Sequence, residues 1–509
     1  MIREAKDLSG EIREEVDVVV VGSGAAGGPF AYKMAQAGKS VLIIEAGGYY
    51  TAGKDFSERE GEMSRKLYVE GGAQATADGS VGVYQGKCVG GSTVINGMMS
   101  FRPPERVLES WEDQYGVTGL RYKDLLPSIL EVEQTINVTE NLPHEINTAN
   151  RLMMAGADAL GWSNAPMWRN KQDCAISGFC MQGCAYDRKR SMLVTYVPMA
   201  IESGATLYAD TEVDRVLTED GRATGVVASV RDRDTHEVVA TLNVKAKLVA
   251  LAAGAVQTPA LLQRSELCSH SGQLGQNLAI HPGPATVALF PQRIDGWVGP
   301  PGGAYIDEFH AHDKGGFLIE GMSFGPMGMA VYLGQFGKFS RDLMRDYVHL
   351  ATCLTVVHDP GCGSVLYNPK TGKADISYKL DDETQERVKE SIAAMARMWF
   401  AAGAQKVLAP FTKPLVLESA DEVDRIYDMS VGPGYFAISG PHPQGTARMG
   451  ADPDHSVVDP SGEAHDVKGL FVIDTSAFPT SIDVNPQIST MSISTHRALQ
   501  ILSDPSRYF

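Results

Sequence analysis

A chain of 509 residues is too long for one hydrophobic core of ordinary size, so two large folding units are expected. With 43% hydrophobic and 21% charged residues it has the composition of a globular protein, and no apolar run reaches the roughly 18 residues that a membrane span needs. A formal net charge of −17 argues against general nucleic-acid or anionic-membrane binding.

The polar opening MIREAKDLSGEIREEVD has no apolar signal core, so a cytoplasmic location is expected, and seven cysteines fit reduced thiols better than a disulfide framework. Residues 16–21 form a β-branched run of the kind buried on both faces of a parallel sheet. Glycine-rich residues 22–28 break it, 30–37 carry a helical pattern ended by Gly38, and 40–44 make a second strand. A second glycine cluster spans 86–97, residues 105–160 read as mainly helical, and a cysteine-bearing loop covers 174–184. From 206 to 249 short strands alternate with charged turns, as in a meander. Residues 283–380 alternate like strands with no dominant helix, and Asp381 and Asp382 open an amphipathic helix over 382–403. The segment 440–509 returns to a glycine-rich βα style and ends in a helix near 487–503. The expected class is α/β. It joins a discontinuous Rossmann-like domain (12–105, 190–283 and 440–509) to an inserted α+β substrate domain with an antiparallel sheet (106–189 and 284–439) that includes the cysteine loop.

Gly22-Ser-Gly24-Ala25-Ala26-Gly27 fits the G-x-G-x-x-G fingerprint between a strand and a helix. The first glycine makes the tight turn, the second lets backbone approach a pyrophosphate, and the third lets helix pack on strand. Free N–H groups at the helix start would hold the phosphate charge. Glu45, 18 positions beyond Gly27, stands where a carboxylate would bond ribose hydroxyls. Together these point to dinucleotide binding without separating NAD from FAD.

Four further blocks carry a family resemblance. They are GKCVGGSTVING at 86–97, GAVQTPALLQRS at 254–265, HPQGTARMG at 442–450, and LFVID at 470–474 followed by NPQ at 485–487. In this order they resemble the signature segments of the glucose–methanol–choline (GMC) oxidoreductases, with Glu266 departing from the glycine usual there. The resemblance runs from residue 17 to the last residues and implies an FAD cofactor. It places Gly90, Gly91, Ser92 and Asn96 at the flavin, the Val213 backbone at the adenine, and Asp474 at the ribityl or pyrophosphate region. Asn485, Pro486 and Gln487 would close the flavin site. Glycines at 90 and 91 also suit a backbone that must approach a flat ring, and Gly254 and Pro259 read as a strand-to-turn corner. Covalent attachment would need a histidine or cysteine in the first flavin loop. None stands near Ser92 and Cys88 comes too early, so non-covalent FAD is expected.

The resemblance implies that His442 and Asn485, 43 positions apart, are the catalytic pair for oxidising an alcohol to an aldehyde or ketone, with hydride passing to flavin N5. A histidine titrating near neutrality can take the hydroxyl proton, and an asparagine amide can hold the substrate oxygen without competing for it. Oxygen or another acceptor would then take the electrons. His281, in a segment that also matches the family, reads as packing near the domain boundary and not as the base.

Cys174, Cys180 and Cys184 allow two readings. One is a packed loop, as in the long-chain-alcohol oxidase branch that the middle of the chain resembles most, with Arg188, Lys189 and Arg190 as its basic stretch. The other is an iron–sulfur cluster like that of multi-subunit FAD-dependent sugar dehydrogenases, which would bring a small partner subunit. Ala185 stands where those enzymes tend to have proline. Residues 316–340, rich in Phe, Met, Leu and Gly, suit an apolar pocket or an ordinary core equally.

Overall fold

The computed structural model describes residues 1–333, 337–436 and 438–509. Its first sheet has eight strands, in the order Ile2–Arg3, Thr206–Tyr208, Val41–Ile44, Gly10–Val21, Val238–Leu251, Arg222–Arg231 and Thr211–Glu219, with Leu470–Val472 paired beside Val238–Leu251. The central strands run parallel, and the 211–251 stretch forms the expected antiparallel meander. Val18, Val19 and Val20 are fully buried between two neighbouring strands, which explains the unbroken β-branched run.

Two helices cover the cofactor side of this sheet. Gly27–Gln36 follows the glycine turn directly, three residues earlier than its apolar pattern suggests. Gln487–Ser503 packs against it, and Ser494 donates to the Ala26 carbonyl at 2.6 Å. Residues 254–264 correct the expected corner, because they form the helix Gly254–Arg264 with Pro259 inside it. An interior proline strips the i−4 carbonyl of its donor, at a cost of roughly 3 kcal/mol. Here that carbonyl is Ala255, and the Thr446 hydroxyl donates to it at 2.7 Å.

The second sheet is antiparallel with seven strands, ordered Leu415–Leu417, Lys406–Ala409, Ala285–Leu289, Leu350–Val357, Phe317–Met322, Ala304–Ile306 and Asn164–Pro166. The helix Asp382–Ala401 covers it, capped by the Asp381 carboxylate accepting from the Thr384 N–H at 2.8 Å. Trp399 on this helix is fully buried and donates to Thr286 of the sheet. Among the described residues, the strands of the 283–380 region are interrupted by the short α-helices Pro326–Tyr332 and Lys338–Arg345 and by 3-10 turns at His312–Lys314 and Tyr347–His349.

Helices Glu105–Tyr115 and Tyr122–Thr135, expected in the substrate half, bury Val107, Leu108, Trp111, Leu125, Ile129 and Val132 in the core of the first sheet. Trp111 stacks obliquely on Phe478 and donates to Thr480, so the closing segment pulls them there. Thr148–Leu160 buries Ala149, Met153 and Ala157 in the second core.

Candidate active site

A cavity of about 1190 Å³ runs from the first sheet to the second. This exceeds the roughly 300–1,000 Å³ of most ligand pockets, as an extended dinucleotide plus a substrate requires. At one end it is lined by Gly22, Gly24, Ala25, Ala26, Glu45, Gly91, Ser92, Asn96, Val213, Gly254 and Asp474. Gly27 and Gly90 stand just behind this wall. A Cβ on Gly27 would fall 1.9 Å from the Gly22 carbonyl oxygen, so helix and turn meet only if residue 27 has no side chain. A Cβ on Gly91 would lie 2.9 Å from Gly24 Cα, so the two glycine loops are pressed together.

Ser23, which no motif pointed to, joins those loops. Its hydroxyl donates to Glu45 Oε2 at 2.7 Å and accepts from the Gly90 N–H at 2.9 Å. Glu45 is buried, its pKa pushed up by desolvation, and it lines the cavity. Val213 lies at the far end with its carbonyl held by Arg264 at 2.5 Å. Asp474, expected at the ribityl or pyrophosphate region, lines the cavity. Its Oδ2 accepts from the Gly254 N–H and Thr258, and its Oδ1 from the Ser476 N–H and hydroxyl. Both oxygens are thus occupied by protein donors, and the carboxylate pins the start of the 254–264 helix.

At the other end stand His442, Asn485, Pro486 and Gln487. Asn96 donates to Gln487 Oε1 at 2.9 Å, and Gln487 Nε2 donates to the Met99 carbonyl at 2.7 Å, which ties the closing segment to the first flavin loop. His442 Nε2 lies 3.5 Å from Asn485 Nδ2, and its Nδ1 lies 3.0 Å from Nδ1 of His281. His281, read as packing near the domain boundary, is therefore in direct contact with His442. It is fully buried, its Nε2 is 2.6 Å from Ser481 Oγ, and its backbone N–H donates to Asp359. Burial pushes the His442 pKa down to about 3, so the ring is neutral throughout the working range and does not titrate near pH 7 as expected.

Sequence reasoning missed Glu320. It sits in the interior strand Phe317–Met322, is 1% exposed, and accepts from Asn485 Nδ2 at 3.3 Å. Desolvation pushes its pKa up to about 7, and its Oε1 has no hydrogen-bond partner. An inward-facing glutamate on a core strand breaks the apolar alternation, which was the available signal. Beyond Glu320 the wall turns apolar with Met322, Phe324, Met327, Val331 and Tyr332, so part of 316–340 lines the cavity, while its residues 334–336 lie outside the described residues.

Residues 64–283 and 363–494 match family models described as GMC oxidoreductase, and residues 17–58 match an FAD binding domain. An uncharacterized GMC-type oxidoreductase of Mycobacterium tuberculosis is 35% identical over 481 residues, spanning 94% of this chain and 74% of that protein. The chain belongs to the GMC oxidoreductase family. A GMC-type oxidoreductase of Sinorhizobium fredii is 30% identical over 98% of this chain and 97% of its own length. Long-chain-alcohol oxidase FAO4A of Arabidopsis thaliana is 30% identical over 94% of this chain and 67% of its own. Among solved structures, pyridoxine 4-oxidase from Mesorbium loti superposes with a TM-score of 0.68 at 19% identity, covering 96% of this chain and 99% of that one. At that identity the likeness shows the fold alone. As a GMC oxidoreductase the protein is an FAD-dependent enzyme, and the cradle fits the cofactor: side chains are missing where the backbone must come close, a carboxylate faces the cavity, and no side chain caps the Gly27–Gln36 helix.

The cysteine loop does not fit an iron–sulfur cluster. Cys174, Cys180 and Cys184 line a cavity of only about 10 Å³. That is barely room for one water molecule, and a cluster of irons and sulfides needs many times more. Two of the sulfurs are already engaged, since Arg169 Nη2 donates to Cys180 Sγ and the Lys189 N–H to Cys184 Sγ, both at 3.4 Å. The Lys189 ammonium donates to the carbonyls of Val94, Asn96 and Cys180, so it holds the loop against the first flavin loop.

Proposed function

We propose that this GMC oxidoreductase binds FAD non-covalently and oxidises a primary long-chain alcohol to its aldehyde, with His442 as the base. The observation that carries the reading is the His442–Asn485 pair, 3.5 Å apart at the wall of the cavity, backed by His281. To accept a proton at Nε2, His442 must keep its hydrogen on Nδ1 and donate it to His281 Nδ1. His281 would then carry its own hydrogen on Nε2 and donate it to Ser481 Oγ, with the Gln444 amide nitrogen, 3.2 Å from the same ring nitrogen, competing for that position. Glu320 takes one Asn485 Nδ2 hydrogen and so orients the amide, and the other, which faces His442 Nε2 at 3.5 Å, would turn to the alcohol oxygen when substrate binds. When bound, FAD would supply the hydride acceptor. The apolar wall from Met322 to Tyr332 suits an alkyl chain, in line with the similarity to long-chain-alcohol oxidases. Cys88, the thiol nearest the flavin loop, is buried away from the cavity wall with its pKa pushed far up, which favours a non-covalent flavin. With no room for a cluster, oxygen is the favoured acceptor.

The test is anaerobic mixing with dodecanol, glucose and benzyl alcohol. Dodecanol should bleach the flavin fastest, and acid precipitation should leave FAD in the supernatant. His442→Ala should retain FAD but be reduced roughly 10²–10⁴-fold more slowly, the usual worth of a positioned base. Asn485→Ala should lose less, since one hydrogen bond is removed and no proton acceptor. A His442→Ala protein reduced at the wild-type rate would overturn the assignment.

A further inference from the structure

Three chemically active side chains outside the cavity converge without a role in the proposed reaction. His312 opens the short turn His312–Lys314, His358 follows the strand Leu350–Val357, and Asp483 lies in the closing loop. Their ligand atoms all lie within 4.8 Å of one another, the grouping of this kind found among the described residues. We propose that His312, His358 and Asp483 form a binding site for a divalent zinc-type cation.

The spacing supports it. Asp483 Oδ2 is 2.9 Å from His312 Nε2 and 3.6 Å from His358 Nδ1. Ligands on a tetrahedral zinc, at bonds near 2.1 Å, stand about 3.4 Å apart, so the two observed edges bracket that value. His358 gives an independent indication. It is 1% exposed and neither ring nitrogen has a hydrogen-bond partner, a state that a buried imidazole does not ordinarily tolerate. A cation would take one of those lone pairs. Two imidazoles and a carboxylate form the donor set of three-ligand zinc sites, with water in the fourth position.

Arg106 is the competing occupant. Its Nη1 donates to Asp483 Oδ2 at 2.7 Å, but its side chain is 42% exposed, so it can swing into solvent when a metal takes the carboxylate. His310 is not a ligand, because its Nε2 faces the Asp483 carbonyl oxygen at 3.3 Å. The site has a structural consequence. Asp483 lies two residues after Ser481, the partner of His281, and two before Asn485, so a bound cation would hold the loop that carries both.

The test uses the FAD-loaded protein, stripped with chelator, given excess zinc chloride and passed through metal-free gel filtration. Metal analysis should find about one zinc per chain. His312→Ala and His358→Ala should each weaken binding at least roughly 100-fold, more than the loss of a supporting group would. Arg106→Ala should tighten binding by removing the competing cation. His455→Ala, at an exposed histidine paired with Asp452, should retain the wild-type stoichiometry. Because His358 is buried and its variant can lose structure, the half-exposed His312 decides the matter, with flavin absorbance reporting the fold. Wild-type protein that retains less than about a tenth of an equivalent, or His312→Ala protein that retains as much as wild type, would overturn the site.

Discussion

The two ends of the cavity are built on opposite terms. The dinucleotide end is made by leaving side chains out: Gly22, Gly24 and Gly91 bring backbone to the surface, and Ser23 of the first loop and Glu45 after the strand Val41–Ile44 complete it. The reaction end is made by putting ionisable side chains in. His281, Glu320, His442 and Asn485 come from four separate segments, and burial shifts the pKa of each of the three titratable ones. One end therefore fails when a methyl group is added, and the other when a polar atom is removed.

The comparison can be broken most sharply at Gly24. A Cβ there meets nothing closer than Gly91 Cα at 3.7 Å, so Gly24→Val should fold but push its side chain into the cofactor space. Circular dichroism should be native while bound FAD falls to roughly a tenth or less, for which a clash of about 1.4 kcal/mol suffices. Full flavin content in this variant would mean that the pyrophosphate passes elsewhere. At the reaction end, Glu320→Gln should keep its flavin and alter the pH profile. The glutamate is neutral below about pH 7 and an anion above it, and an anion beside Asn485 and His442 favours the imidazolium that forms as the proton arrives. Wild-type flavin reduction should thus rise about 3- to 10-fold with pH around 7, and the glutamine variant should run flat. If the step survives in the variant, another group titrates there. The smallest effect belongs outside both ends: Cys174→Ser should leave turnover within about twofold, and large losses with stoichiometric iron in wild type would restore the cluster.

Legibility followed the same divide. Gly22, Gly24, Gly27 and Glu45 stand in one contiguous βαβ unit whose spacing is imposed by the backbone, so local sequence exposes them. Glu320, Asp359 and the contact of His281 with His442 depend on how the second sheet lies against the closing loop, which no local period encodes. The 254–264 helix was hidden by Pro259, because the donor that makes this proline tolerable, Thr446, lies far along the chain. The cysteine spacing was readable, but whether three thiols enclose a cluster or a water-sized gap is a matter of volume that spacing does not carry.

The strand Leu470–Val472 and the helix Gln487–Ser503 bear on the order of synthesis. That strand pairs with Val238–Leu251 in the first sheet, and that helix seals the Gly27–Gln36 helix through Ser494. The cradle that begins at Gly22 is thus finished by residues more than 440 positions further along the chain. The valines of Gly10–Val21 have both strand neighbours by residue 251, so what waits is the strand beside Val238–Leu251 and the partner of the Gly27–Gln36 helix. The flavin cradle is complete only once residues 470–503 have joined the first sheet and its helix, so its assembly cannot precede their synthesis.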